Sequence, residues 1–449
     1  GTGSHAEGIN TQAGGTGAHA EREETVASGY DAHAEGYQTL ASLDSAHAEG
    51  ENTQATGYAS HAEGLTTFAT NDAAHSEGTF YNGVYSIFYG EGGSLDLSRG
   101  QIGIDAYNVA SGIAAHVEGA GNTGSGNYSH AGGLYTIATN DFSYAEGFCN
   151  DSLGIASHVE GAGNTGSYIA SHAEGFITMS TGMGSHSEGW GTHAYSDASH
   201  AEGFETIVFG NYAHAEGQGS EADGFRSHAE GYFTLTSGQS CHAEGEFTTA
   251  RGIGTHAEGG GTVSGAIYSH AEGDSTTTTG NASHAEGYGS VATGFASHAG
   301  GQYSLANSDT QFARAGGRFA NAGDAQFSQH YVALDTPSTD PDQIFQILIG
   351  SIFPWPFIPD NTTWSFIINV VGNDSGFANF TSTVIQGFIN RAGGFITALQ
   401  STTTNVPAVN TIGVPQAYTN GVNMLTVKVT PLVPDTRWHA VINVSSITR

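Results

Sequence analysis

Along most of the chain, small and polar positions alternate in a five-residue block that returns at a fixed step. In Ser60-His61-Ala62-Glu63-Gly64 the serine, alanine and glycine fall on one face of an extended strand, and the histidine and glutamate on the other. The block recurs with its histidine at 5, 19, 33, 47, 61 and 75, then at 116, 130, 158, 172, 186, 200, 214, 228, 242, 256, 270, 284 and 298, and steps inside each run are multiples of 14. A 14-residue unit is too short for a helical repeat and predicts two strands of about five residues joined by two tight turns. Turn chemistry agrees: glycine closes nearly every block, and pairs such as Thr56-Gly57, Asn71-Asp72 and Thr279-Gly280 precede the next. The prediction is an all-β, parallel β-roll solenoid of roughly 22 to 24 coils, stacked at about 4.8 Å into a rod on the order of 110 Å long.

The pattern has irregularities. The 41 residues from His75 to His116 are read as holding two degenerate coils, Phe88-Tyr89-Gly90-Glu91-Gly92 and Gln101-Ile102-Gly103-Ile104-Asp105, and Tyr144 takes a histidine place. Two more degenerate coils are expected around Phe312 and Gln326. The repeat domain is assigned to residues 1–330.

Residues 331–449 read differently. Alternating or β-branched runs at Tyr331 to Leu334, Ile344 to Ile349, Trp364 to Val371, Phe380 to Phe388, Phe395 to Leu399, Met424 to Val429 and Arg437 to Val444 are separated by turn clusters such as Gly372-Asn373-Asp374. About seven strands predict an antiparallel β-sandwich or jelly roll. The most apolar stretch, Ile344 to Ile358, is broken by Gln346, Pro354 and Pro356, so no membrane insertion is expected. Neither is a signal peptide visible, and the chain begins at Gly1 in mid-pattern.

Charge narrows the partners. Ten Lys and Arg against 43 Asp and Glu give a net charge of −33, which excludes nucleic acid as a partner because its phosphates are recognised by cations. Almost all of this charge belongs to the repeats. Two cysteines, Cys149 and Cys241, provide no disulfide framework and are expected to be unbridged thiols.

The Ser/Ala/Gly face suits the inside of a flattened roll, which leaves histidine and glutamate outside. So thin an interior buries little apolar surface and needs another chain against it. The His/Glu face is therefore assigned as a self-association ladder, represented by His5 and Glu7, His33 and Glu35, His61 and Glu63, His172 and Glu174, His200 and Glu202, His228 and Glu230, His256 and Glu258, and His284 and Glu286. Interchain His–Glu hydrogen bonds are expected, with partly protonated imidazoles offsetting much of the negative charge. Histidine and glutamate are also good ligands for zinc or nickel. Because the pair repeats identically along the chain, no metal, cofactor or catalytic dyad is expected.

The 14-residue period with a Ser-x-Ala-x-Gly core resembles the head repeats of trimeric autotransporter adhesins, over about residues 1–330. That resemblance implies three left-handed parallel β-rolls about a three-fold axis; the two variable positions, usually aliphatic there, are His and Glu here. Ser-His-Ala-Glu-Gly is also similar to repeats of phage and prophage tail-fibre proteins. The segment after the repeats resembles a C-terminal module of phage and marine-virus structural proteins, through Arg318-Phe319-Ala320, Gly323-Asp324-Ala325-Gln326, Asn361-Thr362-Thr363-Trp364-Ser365-Phe366 and Arg437-Trp438-His439-Ala440. Together these imply a homotrimeric virion or tail fibre on the virion surface, attached to other virion or tail proteins at its N-terminal end and binding a host cell-surface glycan or protein receptor through its tip. Phe353, Trp355 and Phe357, interleaved with prolines, are the receptor-binding candidates. The alternatives are a bacterial surface adhesin of the autotransporter type and a self-assembling extracellular filament. A polysaccharide-degrading tailspike is set aside because residues 331–449 hold no glutamate and the ladder glutamates are too regular, so no enzyme is expected.

Overall fold

The computed structural model describes residues 1–78, 108–318, 321–336, 343–344, 361–374, 380–410, 413–418, 425–431 and 436–448. They are all-β, with no helix among the described residues, and they divide into two compact units, Gly1–Glu230 and Gly231–Arg449.

In the first unit each coil contributes a five-residue strand beginning at the repeat residue, such as His61–Leu65, and a much shorter one, such as Gln54–Ala55. Equivalent residues pair in parallel at a step of 14: His33 with His47, Ala34 with Ala48, Glu35 with Glu49. The second strand was predicted at about five residues and has two or three. The chain spends the difference on two corners, at which non-glycine residues take left-handed torsions: Ala59 at φ 51° before the long strand and Thr66 at φ 56° after it. Such a torsion costs on the order of 1 kcal/mol. Here it is held by stacking, since the Ala59 N–H donates to the Asp44 carbonyl at 3.0 Å and the Thr66 N–H to the Glu51 carbonyl at 2.8 Å. Cys149 occupies such a corner, at φ 53°. Carboxylates brace the turns as well: Asp72 Oδ1 accepts from the Tyr58 N–H at 3.1 Å, and Asp197 Oδ1 from the Met183 N–H at 2.9 Å.

The interior is as thin as the sequence implies. Ala34, Ala41, Ala48, Ala55, Ala62 and Ala69 have no exposed surface, and the buried Ser60 hydroxyl donates to the Gly57 carbonyl at 2.8 Å. Val117 and Val159, among the largest buried side chains of the first unit, both face a glycine, Gly124 and Gly166. The block glycines stack as a third line. A methyl added at Gly64, which sits at φ 112°, would lie 1.9 Å from the Gly78 carbonyl oxygen. Buried asparagines close one end of several coils: Asn122 Nδ2 donates to the carbonyls of Glu118 at 2.6 Å and Gly133 at 2.7 Å, and its Oδ1 accepts from the Thr136 N–H at 2.8 Å.

The two degenerate coils expected at Phe88–Gly92 and Gln101–Asp105 lie outside the described residues. Among the described residues, His75 pairs directly with His116 and Phe68 with Val109.

In the second unit the coils continue to Phe312–Gly316, which pairs in parallel with His298–Gln302, so the expected coil at Phe312 is present. The coil expected around Gln326 is not. Ala325–Thr336 instead runs antiparallel to Phe312–Gly316 and caps it, and its other edge pairs with Thr436–Thr448. From there the antiparallel sheet continues through Thr362–Asp374 and Phe380–Ala392 to Phe395–Asn410. A separate three-stranded sheet holds Gln343–Ile344, Thr426–Pro431 and Gly413–Tyr418. Trp364, Phe366, Ile368 and Val370 alternate into a core shared with Ile385, Ile389, Trp438, Ile442, Leu425 and, from the smaller sheet, Val427 and Val429. Ile367 and Val371 face outward.

Candidate functional site

The face left open by the alanine interior carries the histidines and glutamates. With histidine at the same place in every coil, parallel pairing lays the imidazoles on one another at about the strand spacing. His33–His47 and His47–His61 have ring centroids 4.6 Å apart with 11° between planes, and His61–His75 are 4.8 Å apart and almost parallel. The stack crosses the long step, with His75 and His116 at 5.0 Å, and Tyr144 keeps it unbroken at 4.7 Å from His130 and 4.6 Å from His158. In the second unit it runs from His242 to His298 and ends on Phe312.

Most glutamates lie beside the imidazole of their own coil, although His284 faces Glu272 at 3.9 Å and His298 faces Glu286 at 3.2 Å, each a glutamate of the preceding coil. His19 Nε2 and Glu21 Oε1 are 2.8 Å apart, and this hydrogen bond, the largest influence on it, lowers the Glu21 pKa. Most pairs are longer: 3.6 Å for His47 and Glu49, 3.5 Å for His172 and Glu174, 3.8 Å for His200 and Glu202. These exceed a good hydrogen bond. Accordingly, Nε2 of His61, His116, His172, His200, His214, His256 and His270 is closed to solvent and accepts or donates no hydrogen bond. Tyr144, by contrast, donates its hydroxyl to Glu146, which with burial pushes its pKa up to about 12.

Partial protonation of the ladder, expected from the sequence, is not what this geometry favours. Burial, followed by the charge of the stacked neighbours, lowers the pKa of His47, His75 and His172, and burial is also the first cause at His130, His200, His270 and His284. At His214 the same two causes bring it to about 4. An imidazole sandwiched between imidazoles loses water on both faces and gains like-charged neighbours when protonated. In these rings the stack favours the neutral form.

Of the sequence-assigned residues, His5 and Glu7 (the most exposed), His33 and Glu35, His61 and Glu63, His172 and Glu174, His200 and Glu202, and His228 and Glu230 lie within 4.0 Å as assigned, whereas His284 faces Glu272 and Glu286 faces His298. The receptor candidates Phe353, Trp355 and Phe357 lie outside the described residues. Sequence reasoning missed the ring stack, although histidine at a constant step of 14 was its signal. It also missed a line of exposed aromatics four residues after the histidines, in which Phe176 and Trp190 meet at 5.3 Å and Trp190 and Phe204 at 5.6 Å. On the short strands Glu221 lies beside Asp223, and burial together with that charge raises its pKa. Cys149 and Cys241 form no disulfide, and burial pushes each thiol pKa up to about 11.

The fold and this face define, in each unit, a parallel β-solenoid with a ladder of imidazoles and carboxylates. No protein-family model and no curated protein matches the sequence. Among solved structures the chain is similar to the tailspike protein gp49 of Acinetobacter baumannii bacteriophage Fri1, a capsular polysaccharide depolymerase, at 10% identity and a TM-score of 0.22, over 88% of this chain and 79% of that one. It is also similar to the tailspike protein of Acinetobacter baumannii phage AM24, at 8% identity and a TM-score of 0.18, over 75% and 68%. At these scores neither likeness carries an argument about this chain. The expectation that the chain is not an enzyme is nonetheless withdrawn, because the first of these solved proteins is itself an enzyme.

Proposed function

We infer that the chain is a fibre subunit for attachment to a host surface. In this reading three copies associate along their His/Glu faces as left-handed rolls, residues 1–330 form the shaft of a virion or tail fibre, and residues 331–449 form a tip that binds a host glycan or protein receptor. The N-terminal end joins other virion or tail proteins. One observation carries the association: Nε2 atoms such as those of His61, His116 and His172 are shut off from water without a hydrogen-bond partner within the chain. Buried polar atoms left unpaired cost about 1–3 kcal/mol each, so a ladder of them favours a second surface that supplies partners. The alanine interior points the same way, since it offers little apolar burial per coil. Three tips on one stiff shaft raise avidity without a strong single contact.

The deciding measurement is the native mass of the purified chain by light scattering, with negative-stain images of the same sample. A discrete species at three times 46.2 kDa supports the reading. A stable monomer overturns it, and unlimited polymers replace it with a filament.

A further inference from the structure

Most distances along the ladder are too long for good hydrogen bonds and close to those between two ligands of one metal ion. Zinc sits 2.0–2.2 Å from imidazole nitrogen and carboxylate oxygen, which places the ligand atoms of a tetrahedral site about 3.4 Å apart. His200 Nε2 and Glu202 Oε2 are 3.8 Å apart, and His172 Nε2 and Glu174 Oε2 are 3.5 Å apart. A second imidazole from the next coil completes a trio: His200, Glu202 and His214 in the first unit, and His256, Glu258 and His270 in the second, each present three ligand atoms within 4.8 Å of one another. Nε2 of all four of these histidines lacks a hydrogen-bond partner, and no lysine or arginine ion pair involves either glutamate among the described residues.

We propose that the ladder binds divalent transition-metal ions such as zinc, each held by two imidazoles of successive coils and the carboxylate between them, with the fourth position left to water or another ligand. The rings must tilt together to bring their nitrogens about 1 Å closer than the stacked arrangement holds them. Tilts of that kind already occur in the stack, at 41° for His186 and His200 and 43° for His284 and His298. Neighbouring sites share an imidazole, as His242, Glu244 and His256 share His256 with the trio above. A single Nε2 lone pair serves one ion, so occupancy is limited to one ion for every two histidine-bearing coils. Repetition, which from the sequence alone argued against a metal site, becomes the reason for many equivalent ones.

The inference uses the geometry of one chain and does not rest on the trimer. Its test is zinc titration of the full-length chain by calorimetry and by elemental analysis after gel filtration, with cobalt(II) as a spectroscopic probe. The expected result is several ions per chain at micromolar affinity, a visible cobalt spectrum of tetrahedral nitrogen and oxygen ligands, and no thiolate charge-transfer band from Cys149 or Cys241. The double variant His200→Gln/His256→Gln should bind about two ions fewer while keeping the circular-dichroism spectrum and the native mass of the parent. Saturation at one ion or none, a thiolate band, or an unchanged stoichiometry in that variant overturns the proposal. Native mass reports the assembly separately, so failure of either reading is visible on its own.

Discussion

Val117 points into its coil against Gly124, so closely that a methyl on that glycine would sit 2.8 Å from Val117 Cγ2. The same exchange recurs with Val159 and Gly166 at 2.7 Å, whereas other coils place alanine on both strands, as at Ala62 and Ala69. In these two coils the added volume of valine on one strand is offset by glycine on the other.

Ala62→Val alone should destabilise the solenoid by about 1–3 kcal/mol through overpacking, and adding Ala69→Gly should restore most of it. Chemical denaturation of the two single variants and the double variant checks this. Simple additivity of the two costs would show that the strands do not share one space.

Acid should weaken the solenoid before the carboxylates protonate. Stacked imidazoles such as His47, His172 and His214 have folded-state pKa values below the usual one near 6.5, down to about 4 at His214, so as pH falls through 6.5 these groups take up protons first in the unfolded chain. The stability is complete above that range and is lost progressively toward pH 4. Thermal midpoints between pH 8 and 4.5, measured with a chelator present, should fall, and less steeply for His214→Gln. A midpoint flat until carboxylates titrate would contradict the neutral stack.

His330 is a separate proton switch in the antiparallel sheet. It is completely buried 6.0 Å from the Trp364 ring centre, and burial alone brings its pKa to about 4. By the same sign it withdraws on the order of 3 kcal/mol as pH drops from 6.5 to 4. Trp364 fluorescence during denaturation should report that slope, and His330→Phe should flatten it; an equally steep slope in the variant would locate the proton uptake elsewhere.

Gly372→Ala should cost about 2 kcal/mol, because the new carbon would lie 2.5 Å from the Trp438 ring, which has no room to withdraw inside the core. Loss of the near-ultraviolet tryptophan signal at lower denaturant is the readout. Wild-type stability in this variant would mean that the ring is not seated on that glycine.

Much of this fold could be read from spacing. A step of 14 with small residues at alternate places yields parallel coils, an alanine and serine interior and an outward His/Glu face. The corners could not, since Thr66, Cys149 and Ile177 adopt left-handed torsions with nothing in their side chains to announce it; the neighbouring coil's carbonyl holds them there. The lowered basicity of rings such as His47 and His214 was not legible for a related reason. Counting His beside Glu suggests ion pairs, whereas each ring's surroundings are set mainly by the rings 14 residues away, which remove water from it. The role of Gln326 was hidden because a strand that caps a stack antiparallel carries the same alternation as one that extends it.

The direct pairing of His75 with His116 bears on how such a chain can change. Registry in this fold is negotiated only between adjacent levels, so a stretch of sequence admitted at one corner leaves every other level where it was. The repeat therefore behaves as a ruled scaffold with a port at each turn: new segments can be carried by a single coil, and the imidazole column continues past them as though nothing had been added.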